Sequence, residues 1–468
     1  MPASGTARLL AGGSEGPGAL RPMLDIVLDA LTHGAADRGG PLPAGGPGAV
    51  AHRTHGAARP SLPDHGEGPH HALRTLVTAL TAGAADPADP HCAAHLHCPP
   101  LAVAAAADLA VSALNPSLDS WDQAPAAAEL EALTCRALAE LVHPHGPAPD
   151  ALVTTGGTES NQLALLLARE AAHGAPLRIV CGANAHHSVH RAAWLLGLHP
   201  PHTLPTPTGV LDPARVHDAL RDAEQAQPDR PTLLVATAGT TDTGAIDPLP
   251  HLADLCDGHG ATLHIDAAYG GPLLFSDTLN KRLDGLDRAH TVALDLHKLG
   301  WQPAAAGLLA VPDTTALAPL GHRADYLNAH DDTDAGLPDL LGRSLRTTRR
   351  ADILKIAVTL RALGRHGLGD LVDQVCAHAH ALADLIQARP ALELYARPTL
   401  STVLFRPKGA GPDAVAALRR SLLHRGTAVL GRAATPEGLW LKATLLNPHI
   451  QPGDLRRLLD LVEGTTTP

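Results

Sequence analysis

From about Val153 onward, short apolar runs recur at intervals along the chain. Runs of the β type cover residues 177–181, 233–237, 262–266, 291–295 and 307–311. Helical or loop segments separate most of them, including an apolar helical stretch over 159–172 that stops at Gly174, and another over 249–257. Strand, helix and strand in series predict a mainly parallel sheet with helices on both faces. Upstream, Ala-rich helical patterns cover 101–114 and 126–141, and Pro125 stands where a proline suits a helix start. Nearer the beginning, a helix-like run over 20–31 is followed by a Pro- and Gly-rich stretch, 39–69, that reads as irregular. Beyond Arg349 a long helix in two parts, 352–363 and 370–387, precedes a smaller tail. Strand patterns in that tail cover 392–395, 401–405 and 439–444, and helical ones cover 413–424 and 454–462. The expected organisation is an N-terminal extension over 1–75, a large α/β domain over 76–348 and a small C-terminal α+β domain over 349–468.

Composition narrows the class. With 468 residues the chain exceeds one typical core, which agrees with more than one domain. Aromatic residues make up 2% of the chain, so the core must be built mainly from Leu, Ala and Val. A net charge of −11 argues against a nucleic-acid or anionic-membrane surface. No run of about 20 apolar residues suggests a membrane span, and the first residues lack the apolar core of a secretory signal. Six cysteines in so long a chain are no disulfide framework, which points to a reducing, cytoplasmic setting.

Four signals in the alternating region carry candidate chemistry. In Thr154-Thr155-Gly156-Gly157-Thr158-Glu159-Ser160-Asn161 a glycine turn opens a helix, whose free N–H groups and dipole suit a phosphate. By itself such a turn is a weak signal, since Gly-rich helix starts are common. His264-Ile265-Asp266-Ala267-Ala268-Tyr269 places a carboxylate at the end of a buried strand, where it is costly unless paired. A strand-end Asp that merely caps the next turn is the bland alternative. Asp295-Leu296-His297-Lys298 puts a lysine just past another strand, where doubly wound sheets bind ligands and where a solvated surface lysine is the competing reading. Asn184-Ala185-His186-His187-Ser188 precedes a helix; with 30 histidines in the chain, no single one carries weight alone.

Together these stretches resemble the group II amino acid decarboxylases that depend on pyridoxal phosphate, the family of the aromatic amino acid, glutamate and L-2,4-diaminobutyrate decarboxylases. The matching segments are TTGGTESNQLALLLAR, ANAHHSVHRAAWLLG, ATAGTTDTGAIDPL, HIDAAYGG, DLHKLGWQP and RSLRTTRRADILK, in that order. The upstream HPHCAAHLHCPP and ALNPSLDSWDQAPAAAELE also match, so the likeness spans roughly residues 85 to 465. It implies the fold of the fold-type I pyridoxal-phosphate-dependent transferases, with a mainly parallel sheet in the large domain.

The resemblance also assigns roles. Lys298 would bind pyridoxal 5′-phosphate covalently through an amine kept neutral and reactive. Asp266 would keep the pyridine nitrogen protonated, so that the ring accepts the electron pair released with CO2. His186 would lie over the ring and help orient the leaving carboxylate. Gly157, Thr158 and His297 would hold the phosphate, Ala268 would touch the other ring face, and Thr240 would lie near the cofactor's 3′-oxygen. Tyr326, on a polar segment suited to a lid, would protonate Cα; an ordinary loop tyrosine is the competing reading. His95 and His97 would contact substrate. The Cys and His of that same stretch alternate too tightly for one tetrahedral ion, so no metal is expected. Asp295 stands where many relatives have Asn, and an extra anion there would weaken a direct phosphate contact.

Likeness to the diaminobutyrate branch is carried by HLHCPP, DSWDQAP and Asp352. The expected reaction is L-2,4-diaminobutyrate to 1,3-diaminopropane and CO2, with lysine or ornithine, aromatic amino acids and glutamate as other substrates. Transamination or aldehyde formation on the same fold is a second reading, and a non-catalytic scaffold a third, which the presence of Lys298, Asp266 and His186 argues against. The family implies a homodimer with active sites at the subunit interface.

Overall fold

A computed structural model describes residues 10–466 of the chain. It divides into two compact units. One combines the residues up to Pro99 with Ser112–Asn115 and those from Ala377 onward; the other comprises Pro100–Val111 and Pro116–Cys376.

The second unit is built on a seven-stranded sheet with the spatial order Asp150–Thr154, Gly307–Val311, Thr291–Asp295, Thr262–Ala267, Thr232–Thr237, Arg178–Gly182 and His202–Leu204. All strands run parallel except Gly307–Val311, which is antiparallel to both neighbours. This is the expected α/β class. The three strands Thr232–Thr237, Thr291–Asp295 and Gly307–Val311 are buried at every position. Burial on both faces explains why they read as continuous apolar runs rather than as alternation.

Helix Gly157–Ala171 connects the first two strands in sequence and packs two ways. Leu163, Leu166 and Leu167 join Leu152, Leu309 and Val311, while Leu165 joins Ile179, Val189, Leu233 and Val235. Each leucine buried so completely contributes about 2 kcal/mol. The register sets Thr237 beside Asp266, and Asp266 beside Ala293. Three parallel strands therefore end side by side, and their next residues form the candidate site.

The first unit has its own sheet, ordered Cys92–Ala93, Val429–Thr435, Gly438–Thr444, Thr402–Pro407 and Leu392–Leu394. Its core joins Val403, Phe405, Leu430 and Leu441 to Val415, Leu418 and Leu422 of helix Pro412–Arg425 and Leu455, Leu458 and Leu459 of helix Pro452–Thr466.

Two differences from the sequence reading have plain causes. Within the Pro- and Gly-rich stretch, Gly46–Ala58 is a helix, because Pro47 falls in its first turn where a missing N–H costs nothing. The strand Val429–Thr435 was hidden by Gly431, Ala433 and Ala434, which carry little β signal. The helical stretch Ile353–Gln387 is interrupted at Gly364, whose φ of 67° and ψ of 179° break the helix between the two expected parts. The first 75 residues hold helices Gly16–Arg38 and Gly46–Ala58 and the first half of Pro69–Gly83, and 349–376 group with the seven-stranded unit, whereas the sequence reading sets boundaries at 75 and 348.

Candidate active site

The glycine turn lies between strand Asp150–Thr154 and helix Gly157–Ala171. Thr154 Oγ1 and Ser160 Oγ are 2.8 Å apart, and Ser160 Oγ donates to the Leu308 carbonyl at 3.0 Å, which ties the turn to the antiparallel strand. Gly156 has φ 149°, and a Cβ on it would stand 2.8 Å from His297 Cε1. A Cβ on Gly157 would stand 2.7 Å from Ala268 Cβ and 3.4 Å from Asp295 Oδ2. The absent side chains let the helix start approach both strand tips. Among the described residues no side chain caps Gly156 at that helix start, which leaves the first N–H groups of the helix available beside His297 and Ala268, while Glu159 Oε2 accepts the Thr155 N–H just ahead of the turn at 2.6 Å.

At one tip, Asp266 is 5% exposed. Its Oδ1 accepts the Ala268 N–H at 3.1 Å and its Oδ2 accepts Asn161 Nδ2 at 2.8 Å. No cation pairs with it among the described residues. At the neighbouring tip, Asp295 is 2% exposed, and Lys298 Nζ lies 2.8 Å from its Oδ2. His297 Nε2 is 3.5 Å from the same oxygen. Asp295 Oδ1 is buried without a hydrogen-bond partner among the described residues.

His186 stands just before helix Ser188–Leu195, with Nδ1 2.8 Å from Ser188 Oγ. Its ring meets that of His187 at 4.1 Å between centroids. Burial lowers the pKa of His186, against the opposing pull of Asp266; Lys298 and Asp295 also act on it, so all four groups share one region. Burial likewise lowers the pKa of His297, opposed by Asp295. Thr240 is buried in the turn after strand Thr232–Thr237, 2.9 Å from Thr243 Oγ1, and it accepts the Ala245 N–H at 3.1 Å.

The sequence model of the pyridoxal-dependent decarboxylase conserved domain matches residues 55–408. The chain belongs to the pyridoxal-dependent decarboxylase family. It is 40% identical over 417 residues to an L-2,4-diaminobutyrate decarboxylase of Rhizobium meliloti (strain 1021), covering 86% of this chain and 83% of that protein. It is 33% identical over 402 residues to an L-2,4-diaminobutyrate decarboxylase of Acinetobacter baumannii, covering 79% and 78%. Among solved structures it resembles the glutamate decarboxylase domain of diaminobutyrate-pyruvate transaminase and L-2,4-diaminobutyrate decarboxylase from Vibrio parahaemolyticus. That likeness has a TM-score of 0.88 at 30% identity and covers 99% of each chain.

This decarboxylase uses pyridoxal phosphate, and its residues fit that cofactor. The uncapped helix start beside the side-chain-free Gly156 and Gly157 leaves a cradle that suits a phosphate. The Asp266 carboxylate, which no cation meets among the described residues, suits a protonated ring nitrogen, and the Lys298 amine at the neighbouring tip suits a covalent link to the cofactor. Gly157, Thr158, His186, Asp266, Ala268, His297 and Lys298 gather here, with Thr240 on the adjoining strand tip.

The remaining expected residues are all exposed. Tyr326, in the short helix Asp325–Asn328, is 81% exposed. His95 and His97 belong to the other unit and are exposed there. Asn161, Ser188 and His264 were missed in sequence, although each lies inside a quoted motif. Their signal was a polar residue on a buried, otherwise apolar face.

Proposed function

We propose that this decarboxylase converts L-2,4-diaminobutyrate to 1,3-diaminopropane and CO2. The observation that carries the reading is the 40% identity to the Rhizobium meliloti enzyme of that specificity. In the reaction the bond between Cα and the carboxylate breaks, CO2 leaves, and Cα gains a proton, while the side-chain amine is untouched.

Bound at the strand tips, pyridoxal phosphate supplies a ring that accepts the electron pair left by CO2. Lys298 would hold the cofactor covalently through its side-chain amine. Asp266 keeps a proton on the ring nitrogen: a buried carboxylate with neutral donors on both oxygens still has lone pairs for a cationic N–H. Gly157 and Thr158 offer N–H groups to the phosphate, with His297 beside them. Ala268 and His186 would confine the ring, Thr240 would lie near its 3′-oxygen, and His186 would orient the leaving carboxylate. Tyr326 delivers the proton to Cα; its exposed place on a polar segment suits a group that arrives with a closing lid. His95 and His97 contact substrate.

The active form is a homodimer with active sites at the interface, and it works in the cytoplasm. The six cysteines, all free thiols, agree with a reducing compartment. No described helix is long and apolar enough to cross a membrane.

The test is a panel of amino acids assayed for CO2 with the amine product identified. Diaminobutyrate should give the highest kcat/KM, with 1,3-diaminopropane as product. A higher kcat/KM for ornithine, lysine, glutamate or an aromatic amino acid, or a keto acid or aldehyde in place of the amine, would overturn the assignment.

A further inference from the structure

The side-chain amide of Asn161 is fully buried at the junction of two hydrogen-bonded branches. Nδ2 lies 2.8 Å from Asp266 Oδ2 and 2.8 Å from Ser188 Oγ, and Oδ1 lies 2.9 Å from His264 Nε2. His264 Nδ1 in turn lies 2.8 Å from Thr291 Oγ1 and 3.2 Å from the Thr291 carbonyl. Ser188 Oγ continues to His186 Nδ1 at 2.8 Å. Asn161, Ser188 and His264 are each shut off from solvent.

Donor and acceptor inventory fixes the direction of most of these bonds. An ionised carboxylate can only accept, so the amide nitrogen must face Asp266 and the amide oxygen must face His264. His264 Nε2 must then carry a hydrogen. Burial pushes the pKa of His264 down to about 4, against the pull of Asp266 and of the Thr291 carbonyl, and its Nδ1 is held between the Thr291 hydroxyl and that carbonyl. On the other branch, Asn161 spends its second N–H on Ser188 Oγ, leaving the Ser188 hydrogen for His186 Nδ1. The Ser188 backbone N–H also points at that nitrogen, at 3.4 Å. His186 Nδ1 is therefore an acceptor, and the hydrogen of the neutral ring sits on Nε2.

We propose that Asn161 is a positioning residue that sets two groups at once: it anchors Asp266 as an anion, and through Ser188 it holds His186 in the Nε2–H form. One amide thus couples the acid at the ring nitrogen to the imidazole that meets the substrate, and His186 offers the leaving carboxylate a hydrogen-bond donor. His264 and Thr291 supply the outer support that keeps the amide from turning over. The inference rests on the assignment of Asp266 and His186 under Proposed function.

The two branches can be cut separately. In the enzyme loaded with pyridoxal phosphate labelled with 15N in the ring, the ring-nitrogen shift reports its protonation. Asn161→Asp sets a second carboxyl group against Asp266, so the pair shares a proton and the signal should move toward the unprotonated range. Asn161→Ala should weaken cofactor binding roughly 10-fold or more, the scale of one hydrogen bond to a charged group. Ser188→Ala should leave the ring signal in place. It should instead shift the 15N signals of His186, identified by their absence in His186→Gln, toward mixed tautomers, and lower kcat with little change in KM. An unaltered ring signal in Asn161→Asp, or unaltered His186 signals in Ser188→Ala, would overturn the proposal while unmutated enzyme still releases CO2. If unmutated protein loaded with cofactor shows neither a visible band nor CO2 release, the underlying functional reading fails and the inference fails with it.

Discussion

Two adjacent strands of the seven-stranded sheet end in buried carboxylates, and their surroundings are opposite. Asp266 is met by neutral donors, the Asn161 amide and the Ala268 N–H, and by no cation among the described residues. Asp295 is met by a cation, Lys298 Nζ at 2.8 Å, and keeps one oxygen without a hydrogen-bond partner. Burying an ion without a counter-charge is costly, so a sequence that keeps Asp266 so well solvated by dipoles has prepared it for a cation that arrives with a ligand. The other tip already holds its cation. Under the proposed function, the contrast separates the group that would tune the cofactor from the group that would anchor it.

The largest expected effect comes from removing the anchor. Lys298→Ala should abolish turnover and the visible band of the bound cofactor. The chain has five lysines, so borohydride reduction of unmutated, loaded protein followed by peptide mapping is decisive about which one reacts. The label should fall on Lys298 and not on Lys355, which is fully buried and ion-paired with Asp108 and Asp352. Next in size is Asp266→Asn, which keeps the shape and removes the charge. It should lower kcat by about 100- to 1000-fold, the scale of lost charge stabilisation in a transition state, while Lys298 still captures the cofactor. An Asp266→Asn enzyme with near-normal kcat would erase the distinction between the tips.

A smaller effect concerns acid stability behind Asp266. The folded-state pKa of His264, about 4, lies below its ordinary 6.5. Between those values the unfolded chain binds more protons than the folded one, so stability should fall as pH drops from 6.5 toward 4 and be flat above 6.5 with respect to this group. The loss should amount to a few kcal/mol. Thermal or urea unfolding across that range should show a shallower acid limb in His264→Gln than in the parent. The smallest expected effect is at the other tip. Asp295→Asn replaces an unpartnered anionic oxygen beside the Gly156 turn with an uncharged amide, and the cofactor should bind about fivefold more tightly, or about 1 kcal/mol. Weaker binding would mean that the Lys298 ion pair, rather than relief of repulsion, governs that tip.

The sheet was legible because its strands are buried on both faces, so runs such as 262–266, 291–295 and 307–311 lie within a residue or so of the observed strands. Short edge pieces such as His202–Leu204 and Cys92–Ala93 were not, since their pairing depends on distant partners. Motif likeness brought Lys298, Asp266 and His186 forward, and the geometry brings them together. The supporting layer was hidden for a different reason: Asn161 meets Ser188 27 positions away and Asp266 105 positions away. Such contacts have no local pattern, and among 30 histidines the burial of His264 leaves no mark in composition. Tyr326 shows the reverse case, a residue placed by likeness alone, 81% exposed, with no partner to argue from among the described residues.

The account stands most directly on a crystal structure of the protein loaded with pyridoxal phosphate. It should show one ring joined to Lys298, with its nitrogen within about 3 Å of an Asp266 carboxylate oxygen. A ring joined to another lysine, or one whose nitrogen is turned away from Asp266, would contradict it.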